Sequence, residues 1–388
     1  MPDVSLDFDF TIVGAGASGL WLALAMYEEG LLDTKKLCIV ECDANKQNDR
    51  TWCYWETAPL LPAAMVSKQW PAIYDPSDLS KRQNLTPYHY YHVRSADFYG
   101  SVKHQLKDCA NITWLMATVT NIEAQEKNVL VETNEKTWLS GRVFTSALPA
   151  SELALINVEK PVLWQSFVGW RVQTTAPLFD ATCATMMGWD IAQHNATQFV
   201  YELPFSATDA MVEVTRFGKD KISKNEAEVL LREYLEKKGA NYQIVEDEQG
   251  AIPMTAYYDT TQKNWENQHL VVQIGTIGGA IKPTTGYGFK RMKAHGQAIA
   301  RALKANAPLP TTRRRWRSRL YDQLLLRILL HQPERGKPIF QRLFATQPLP
   351  RILRFLDEKT TLWEEAKIFV KLPIRLFLAT LGRHLFYR

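Results

Sequence analysis

The stretch FDFTIVGAGASGLWLALAMYEEG, residues 8–30, places three glycines between a short apolar run and a helical pattern. The order strand, Gly-x-Gly-x-x-Gly, helix is typical of the first βα turn of a dinucleotide-binding domain. Gly14 permits the tight turn, Gly16 lets a pyrophosphate approach the backbone, and Gly19 lets the helix pack on the strand. The N–H groups at the start of the helix would then face the phosphates.

A second apolar run, KLCIVE, ends at Glu41, 22 residues after Gly19. This is close to the spacing of about 20 residues at which an acid binds the ribose of a dinucleotide. The strand, the helix and the terminal acid together predict a dinucleotide site. The alternative is a glycine turn in a βαβ unit without a ligand. The glycines alone do not distinguish FAD from NAD.

The layout of the rest of the chain favours FAD. After Glu41 the alternation of strands and helices stops, and an aromatic, proline-rich insertion occupies the region around residues 50–95. Another buried strand with a glycine turn, LVVQIGT, comes only at residues 270–276. An interrupted dinucleotide domain is the layout of large FAD proteins. We therefore predict an FAD-binding domain built from residues 1–159 and 265–310.

Residues 160–264 alternate apolar and polar side chains in SFVGWRVQT, ATQFVYELPF and DAMVEVTRF. This period of two predicts an antiparallel sheet inserted into the FAD domain, with one face closing a substrate cavity. The predicted fold class is therefore α/β, with a Rossmann-like FAD domain of the hydroxylase or glutathione-reductase type, an interleaved antiparallel sheet and a C-terminal helical region.

One carboxylate interrupts the apolar strand AMVEVT, where Met211, Glu213 and Thr215 share a face. Glu213 is either a solvated residue on the outer face or a buried acid. Burial would raise its pKa and let it deliver a proton. Composition leaves both interpretations open.

Basic residues are concentrated at the end of the chain. Residues 311–388 contain 17 Lys or Arg and 6 Asp or Glu, so their net charge of +11 leaves −6 for the first 310 residues of a chain whose total is +5. Arg, Trp, Phe and Leu mix there at helical spacing, which predicts helices that pack on the FAD domain or lie on a membrane surface. We favour the membrane surface over nucleic acid, because no nucleic-acid-binding fold is recognisable.

The five cysteines, Cys38, Cys42, Cys53, Cys109 and Cys183, include no C-x-x-C pair. A disulfide framework or a structural zinc site is therefore not expected, and a reducing compartment is. The sequence shows no signal peptide and no run of 18 apolar residues, so we expect no transmembrane helix.

Six segments together resemble the flavoprotein-type lycopene cyclases, in particular the bacterial β-cyclase branch. The segments are Gly14–Gly19 with Glu41, NDRTWCYWE (48–56), SFVGWRV (166–172), YELPFSATDAMVEVT (201–215), GAIPMT (250–255) and GTIGGAIKPTTGYGF (275–289). The resemblance covers nearly the whole chain, and the order and spacing of the segments make it more specific than any one of them.

The resemblance implies an enzyme that requires reduced FAD, with NAD(P)H as the reductant, yet catalyses no net redox change. Its substrates would be lycopene and related carotenes, whose acyclic ψ-ends become β-ionone rings, giving γ-carotene and then β-carotene. It would act at the cytoplasmic side of the membrane as a peripheral protein, in contact with other carotenoid enzymes. The alternative is an FAD-dependent monooxygenase or reductase acting on a lipid-soluble isoprenoid. Hydroxylases of this fold typically carry Gly-Asp where this chain has Gly275-Thr276.

The resemblance also implies roles for individual residues. MVEVT aligns with the family's Phe-Leu-Glu-Glu-Thr segment, which puts Glu213 at the first glutamate and Val214 at the second. The resemblance leaves open whether Glu213 protonates the polyene or tunes the flavin. Relatives carry an aspartate where this chain has Gly188, so Asp190 would substitute for it or that acid is dispensable.

The segment NDRTWCYWE is near the flavin in the family. Arg50 and Glu56 are therefore predicted to contact the cofactor or the active site, and Trp52 and Trp55 to form aromatic walls. A packing role for each of these four side chains is the alternative.

The segment PTTGYGFKR, residues 283–291, completes the predicted cofactor site. The glycines at 275, 278, 279 and 286 would let the backbone approach the cofactor, and Pro283 opens the turn. Thr284 and Thr285 are predicted to cap a helix that begins near Gly286. The positive end of that helix would face the anionic reduced flavin.

Overall fold

The computed structural model describes residues 6–44, 46, 48–147, 163–256, 270–312 and 314–386. Its strands are β1 (Phe8–Val13), β2 (Leu37–Glu41), β3 (Thr51–Glu56), β4 (Lys68–Trp70), β5 (Ala72–Asp75), β6 (Asp78–Asn84), β7 (His89–Arg94), β8 (Ile112–Met116), β9 (Val119–Ala124), β10 (Val129–Thr133), β11 (Thr137–Thr145), β12 (Leu163–Thr174), β13 (Cys183–Gly188), β14 (Thr197–Pro204), β15 (Asp209–Gly218), β16 (Tyr242–Met254) and β17 (Val271–Gln273). Its α-helices are α1 (Ala17–Glu28), α2 (Ser95–Leu106), α3 (Lys224–Lys237), α4 (Phe289–Lys304), α5 (Trp316–His331), α6 (Gly336–Thr346), α7 (Leu349–Leu356), α8 (Leu362–Phe369) and α9 (Ile374–Phe386).

The first sheet has the order β8-β2-β1-β11-β10-β9, and β17 pairs with β11. The pairs β1–β2, β2–β8, β1–β11 and β11–β17 are parallel, whereas β9–β10–β11 form an antiparallel meander. Parallel strands covered on both faces are apolar throughout, and Ile12, Leu37 and Ile39 are fully buried. Helix α1 is apolar on nearly every side because it packs against the sheet, α2 and α4.

The second sheet has the order β16-β12-β15-β14-β13-β5-β6. In β15 the alternation assigns opposite faces to neighbouring residues. Val212 and Val214 pack into the core formed with α3, whereas Met211 belongs to the core on the opposite face. The inserted antiparallel sheet predicted from the period of two is therefore present.

A third, three-stranded sheet, β3-β7-β4, comes from the aromatic insertion around residues 50–95. Tyr54 and Tyr91 pack into the core around α1 and α4, whereas their neighbours Trp55 and Tyr90 pack into the core shared with the second sheet and the C-terminal helices. The insertion thus forms a layer between the two large sheets, which explains its aromatic composition.

The C-terminal helices pack on the second sheet. Gly336, where α6 begins, lies so close to Thr197 of β14 that a β-carbon at residue 336 would overlap that side chain. The predicted domain boundaries at residues 159/160 and 264/265 lie outside the described residues, so they stay predictions, as does the boundary at 310/311.

Candidate functional site

The predicted glycine turn adopts the conformation that its sequence requires. Gly14 has φ +96°, a left-handed conformation that favours glycine. A β-carbon at Gly19 would overlap the carbonyl oxygen of Gly14, so the third glycine allows the close helix–strand contact. At Gly16, by contrast, a β-carbon would meet nothing within 4 Å, because Gly16 faces a cavity of about 390 Å³.

Glu41 ends β2 beside this turn. One carboxylate oxygen accepts a hydrogen bond from the backbone N–H of Ala15 at 2.9 Å, and the same oxygen pairs with Lys46 Nζ at 2.7 Å. Burial alone would raise the pKa of Glu41, but these donors lower it below its usual value. The carboxylate is therefore ionised and fixed next to the glycine turn.

The second glycine segment forms another part of the cavity wall, through Gly275, Thr285 and Gly286. Gly275 and Gly286 have φ +69° and +73°, so both positions require glycine on conformational grounds. A β-carbon at Gly286 would also overlap the side-chain oxygen of Gln165. That oxygen is buried and has no hydrogen-bond partner among the described residues.

The predicted threonine cap is wrong. Helix α4 begins at Phe289, and its N-cap is Gly288, which offers no side chain to the helix. Thr284 instead donates a hydrogen bond to Asp322 of α5 at 2.9 Å. The turn therefore ends three residues later than predicted, and Thr284 ties it to the C-terminal helices.

Several predicted cofactor residues support the cavity wall without lining it. They are Gly14, Gly19, Glu41, Gly278, Gly279, Pro283 and Thr284. A β-carbon at Gly278 would overlap the backbone of Gln273, and Gly279 has φ +76°. These glycines allow the turn to fold back on β17.

These features fit a dinucleotide. The cavity is lined by a cradle that a β-carbon at Gly16 would fill and by the unpartnered Gln165 oxygen. The fixed acid Glu41 binds Ala15, next to Gly16, without lining the cavity itself. Backbone N–H groups at the start of α1 and the positive helix end suit a pyrophosphate.

The inserted sheet places Glu213 in the same cavity. The carboxyl accepts a hydrogen bond from Thr215 Oγ1 at 2.7 Å, two residues along the same face. Gly169 of β12 lies opposite Glu213 on one side and opposite Glu248 of β16 on the other. Because Gly169 has no side chain, both glutamates lean over it, and a β-carbon there would be 3.2 Å from Glu213 Cβ and 3.3 Å from Glu248 Cγ.

Burial is the main cause that raises the pKa of Glu213 well above its usual value, and the neighbouring Glu248 raises it further. Burial likewise raises the pKa of Glu248. The side chain of Glu248 is only 6% exposed, and one oxygen accepts from Thr51 Oγ1 at 2.8 Å. Glu213 is half-buried and lies on the cavity face of β15, so it is not a residue of the outer face of the sheet.

Aromatic side chains surround these acids. Trp52 stacks on Phe289 with ring centroids 5.0 Å apart, and both line the cavity. The hydroxyls of Tyr90 and Tyr287 are 2.8 Å apart. Burial raises the pKa of Tyr201 well above its usual value, so that hydroxyl is neutral. The aromatic part of the wall thus consists of uncharged π faces and hydroxyls.

The other predicted site residues occupy different places. Arg50 lines the cavity and donates to the backbone oxygen of Asp49 at 2.5 Å. Trp55 is buried behind Tyr287, with ring centroids 4.7 Å apart. Glu56 pairs with Lys290 at 3.0 Å outside the cavity.

Asp190 lies on the surface and does not line the cavity.

Sequence reasoning missed Glu248, Gly169 and the tyrosines at 90, 201 and 287. Three of these residues lie in segments that carry the resemblance, and Tyr90 lies in the insertion. Glu248 lies two residues before the segment GAIPMT, in a strand whose acids at 246 and 248 share a face. That repeated acid is the signal that could have found it.

Two features are absent from the described ranges. No helix there combines the length and apolarity needed to cross a bilayer. No group of three or more His, Cys, Asp or Glu side chains there could hold a metal ion.

The fold is that of FAD-dependent monooxygenases and related reductases. A geranylgeranyl bacteriochlorophyll reductase-like protein from Thermoplasma acidophilum superposes with a TM-score of 0.57 at 12% identity, covering 97% of this chain and 98% of that one. A probable FAD-dependent monooxygenase from Pseudomonas aeruginosa gives 0.54 at 13% identity, over 90% and 99% of the two chains. The predicted fold class is confirmed.

The chain belongs to the lycopene cyclase family, because the profile of the family described as "Lycopene cyclase protein" matches residues 9–381. It is 27% identical to a lycopene beta-cyclase of Pseudescherichia vulneris over 94% of each chain. It is 23% identical to a lycopene beta-cyclase of Pantoea ananas, over 94% of this chain and 95% of that one. The resemblance that the six segments suggested is confirmed.

Proposed function

We propose that this protein is a carotenoid cyclase that converts the acyclic ψ-ends of lycopene into β-ionone rings, giving γ-carotene and then β-carotene. The observation that carries the proposal is the half-buried acid Glu213, whose pKa is raised, in an aromatic cavity next to a dinucleotide cradle. Family membership and the names of the two relatives support the same reaction.

The cofactor in this proposal is FAD, supported by the cradle and by the fold shared with a probable FAD-dependent monooxygenase. Gly14 and Gly16 with the start of α1 would hold the pyrophosphate, Glu41 the ribose, and Gly275 with Gly286 the flavin end. When bound and reduced by NAD(P)H, FAD would supply negative charge to the cavity without being consumed.

Glu213 is the proposed acid. A carboxyl that stays protonated at neutral pH can transfer a proton to a carbon–carbon double bond, which water does not do at a useful rate. The protonated end becomes a tertiary cation, which the next double bond attacks to close a six-membered ring. Loss of a proton beside the new cation gives the β-ring.

The cavity walls have two tasks in this reaction. The faces of Trp52, Tyr201 and Phe289 would stabilise the cation electrostatically, since aromatic faces carry partial negative charge. The same side chains would exclude water, which would otherwise trap the cation as an alcohol.

We also propose that the C-terminal helices lie on a membrane surface, because a C40 hydrocarbon must reach the cavity from lipid. Leu362, Trp363, Val370, Ile374 and Leu378 are all at least 44% exposed. Lys367, Lys371 and Arg375 are exposed between them. Apolar side chains next to basic ones suit the interface of an anionic bilayer. Contact with other carotenoid enzymes would take place at the same surface.

The proposal is tested with purified protein, FAD, and lycopene in liposomes under anaerobic conditions, with and without NAD(P)H. We expect cyclic products with the mass of lycopene, formed only with reduced flavin, and far less NAD(P)H oxidised than product formed. Oxygen-dependent turnover, or NAD(P)H oxidation equal to product, would instead support an FAD-dependent monooxygenase or reductase acting on a lipid-soluble isoprenoid.

A further inference from the structure

Glu248 is a buried acid that the proposed reaction does not yet use. It lies on β16, next to β12, whereas Glu213 lies on β15 at the other side of β12. In an antiparallel sheet, side chains two strands apart are normally separated by the side chain of the strand between them. Here the residue between them is Gly169 of β12. It lies opposite Glu213 in the β12–β15 pair and opposite Glu248 in the β12–β16 pair. The two carboxyls therefore come within hydrogen-bonding reach of each other.

The hydrogen bonds of the two carboxyls are incomplete. Glu248 Oε2 accepts from Thr51, but Glu248 Oε1 is buried and has no donor among the described residues. A buried acceptor without a donor costs about 1–3 kcal/mol. Two ionised carboxylates can only accept hydrogen bonds, so they cannot satisfy each other. One proton on Glu213 removes both problems, because Glu213 then donates to Glu248.

The surroundings also favour one proton on the pair. The titratable and charged groups that face the two carboxyls are Arg50, Cys53, Tyr201, Glu246 and Tyr287. Burial raises the pKa of Cys53, Tyr201 and Tyr287, so these groups are neutral. Arg50 is a cation and acts on Glu248, where it favours the ionised form. Glu246 is engaged by Arg94 and Arg171, each at 2.8 Å.

We propose, on the basis of the cyclase function above, that Glu213 and Glu248 share one proton, with Glu213 as the acid and Glu248 as the positioning residue that keeps it protonated. Two carboxyls within hydrogen-bonding reach of each other do not both ionise at neutral pH, because the two negative charges would repel each other, as in other carboxyl pairs. Glu248 thus assigns the proton to Glu213, the more exposed of the two acids that line the cavity.

The proton balance of the cycle follows from this pair. The O–H proton of Glu213 passes to the terminal double bond, whose π electrons form the new C–H bond and leave a tertiary cation. Two carboxylates then face that cation, and its positive charge offsets the repulsion between them. The next double bond supplies the electrons for the ring bond, and a C–H bond beside the resulting cation supplies those of the ring double bond. Its proton returns to the pair, which begins and ends with one proton, and no oxidant or reductant is consumed.

Three variants test the pair. Glu248→Gln keeps the shape of the partner but removes its charge, and Gly169→Ala inserts a methyl group between the carboxyls. Asp247→Asn is the matched control, because it removes a carboxylate of the same strand that lies on the opposite face of the sheet, where it pairs with Lys224. Each is examined in the FAD-loaded protein by the infrared C=O band of a protonated carboxyl against pH, without substrate, and by kcat/KM for lycopene against pH.

In the wild-type protein we expect a protonated carboxyl that persists above pH 7 and is lost in Glu213→Gln. Activity requires that proton, so kcat/KM falls as pH rises through the pKa of Glu213. Removing the charge of Glu248 lowers the pKa of Glu213. The pH at which the infrared band is lost and the pH at which kcat/KM falls therefore both decrease, by about one unit or more. Asp247→Asn leaves both in place.

An unchanged pH dependence of the band in Glu248→Gln would overturn the shared proton, whether or not lycopene is converted. If the band shifts as expected but the wild-type protein converts no lycopene, the pair stands and the cyclase function fails. If Glu248→Gln does not fold, Gly169→Ala answers the same question, because a pH dependence equal to that of the wild type would overturn the pair.

Discussion

Glu213 and Glu248, 35 residues apart in the chain, lie side by side over Gly169 because the strand between them has no side chain at that position. The register of three strands therefore creates the pair. A shift of either outer strand by one residue would turn its glutamate to the opposite face of the sheet. The proposed chemistry thus depends on sheet register as much as on residue identity.

Glu213→Gln is expected to abolish cyclisation while the flavin still binds. The amide cannot supply the proton, and general acids of this kind contribute about 10²–10⁴-fold to rate. The measurement is product formation from lycopene together with the flavin absorbance of the purified variant. Glu202→Gln is the matched control, because Glu202 is a buried glutamate on the neighbouring β14, bound by Tyr234 at 3.0 Å. Turnover by Glu213→Gln comparable to that of the control would remove Glu213 from the mechanism.

Gly16→Ala is expected to weaken FAD binding without destabilising the fold. Gly16 has φ −79°, which alanine adopts freely, and its β-carbon would meet no protein atom. The added methyl would instead occupy the cradle and cost about tenfold or more in affinity, equal to ~1.4 kcal/mol. Flavin fluorescence titration and the apoprotein melting temperature measure the two effects.

Gly100→Ala is the control for this substitution, since its β-carbon also meets nothing within 4 Å but lies on α2, away from the cavity lining. It should bind FAD normally and gain about 0.5–1 kcal/mol of stability from helix propensity. Equal FAD affinity in both variants would argue against the cradle.

Glu358 is expected to make the stability of the fold depend on pH in the acid range. Burial alone would raise its pKa, but Lys282, Arg291 and Arg314 together lower it to about 2. Because folding lowers the pKa of Glu358, its ionised carboxylate stabilises the fold at pH values above its usual pKa of 4.5. This stabilisation is lost as pH falls toward the lowered pKa of about 2. Glu358→Gln should therefore cost about 3 kcal/mol of unfolding free energy at pH 7.

Urea unfolding at pH 7 and at pH 3 measures this effect, because the difference between Glu358→Gln and wild type should shrink at the lower pH. Glu334→Gln is the control, since the Glu334 side chain is 56% exposed and its ion pair with Arg335 is long, at 3.8 Å. A constant difference across that pH range would show that the loss is one of packing rather than of charge.

The double substitution Trp363→Glu with Leu378→Glu is expected to release the protein from membranes. These side chains are 70% and 58% exposed, and acidic replacements would remove apolar contact and add repulsion from anionic lipid. We expect at least about tenfold less protein to co-sediment with anionic vesicles, equal to ~1.4 kcal/mol.

Val229→Glu is the matched control, because Val229 is 54% exposed on α3 rather than on the C-terminal helices. It should sediment like the wild type. Loss of binding in the control alone would place the membrane surface on α3, and no change in the double variant would contradict the proposed surface.

Local sequence patterns predicted much of this molecule. The turn at Gly14–Gly19 and the acid at Glu41 follow from backbone conformation and strand length, which neighbouring residues determine. The alternation in β15 correctly separated Glu213 from Val212 and Val214, because the period of a strand is visible in any short segment.

The remaining features depend on contacts between distant segments. Glu248 could not be paired with Glu213 before the register across β12 was known. The threonine cap failed because Asp322 of α5, 38 residues further along the chain, binds Thr284 and draws it away from α4. Trp55 and Glu56 are next to the predicted wall in sequence, but Trp55 packs behind Tyr287 and Glu56 pairs with Lys290, both outside the cavity.

The most direct test of the central claim, proton-initiated cyclisation without net redox change, is the reaction of lycopene in D₂O with reduced FAD under anaerobic conditions. We expect one deuterium per ring formed, on ring carbon, since the deuteron of the exchanged Glu213 carboxyl adds to the terminal double bond and a different proton is lost. Mass spectrometry and NMR of the carotene measure this number. A cyclic product without deuterium, or one that carries hydrogen from NAD(P)H, would show that the ring does not form by proton-initiated cyclisation without net redox change.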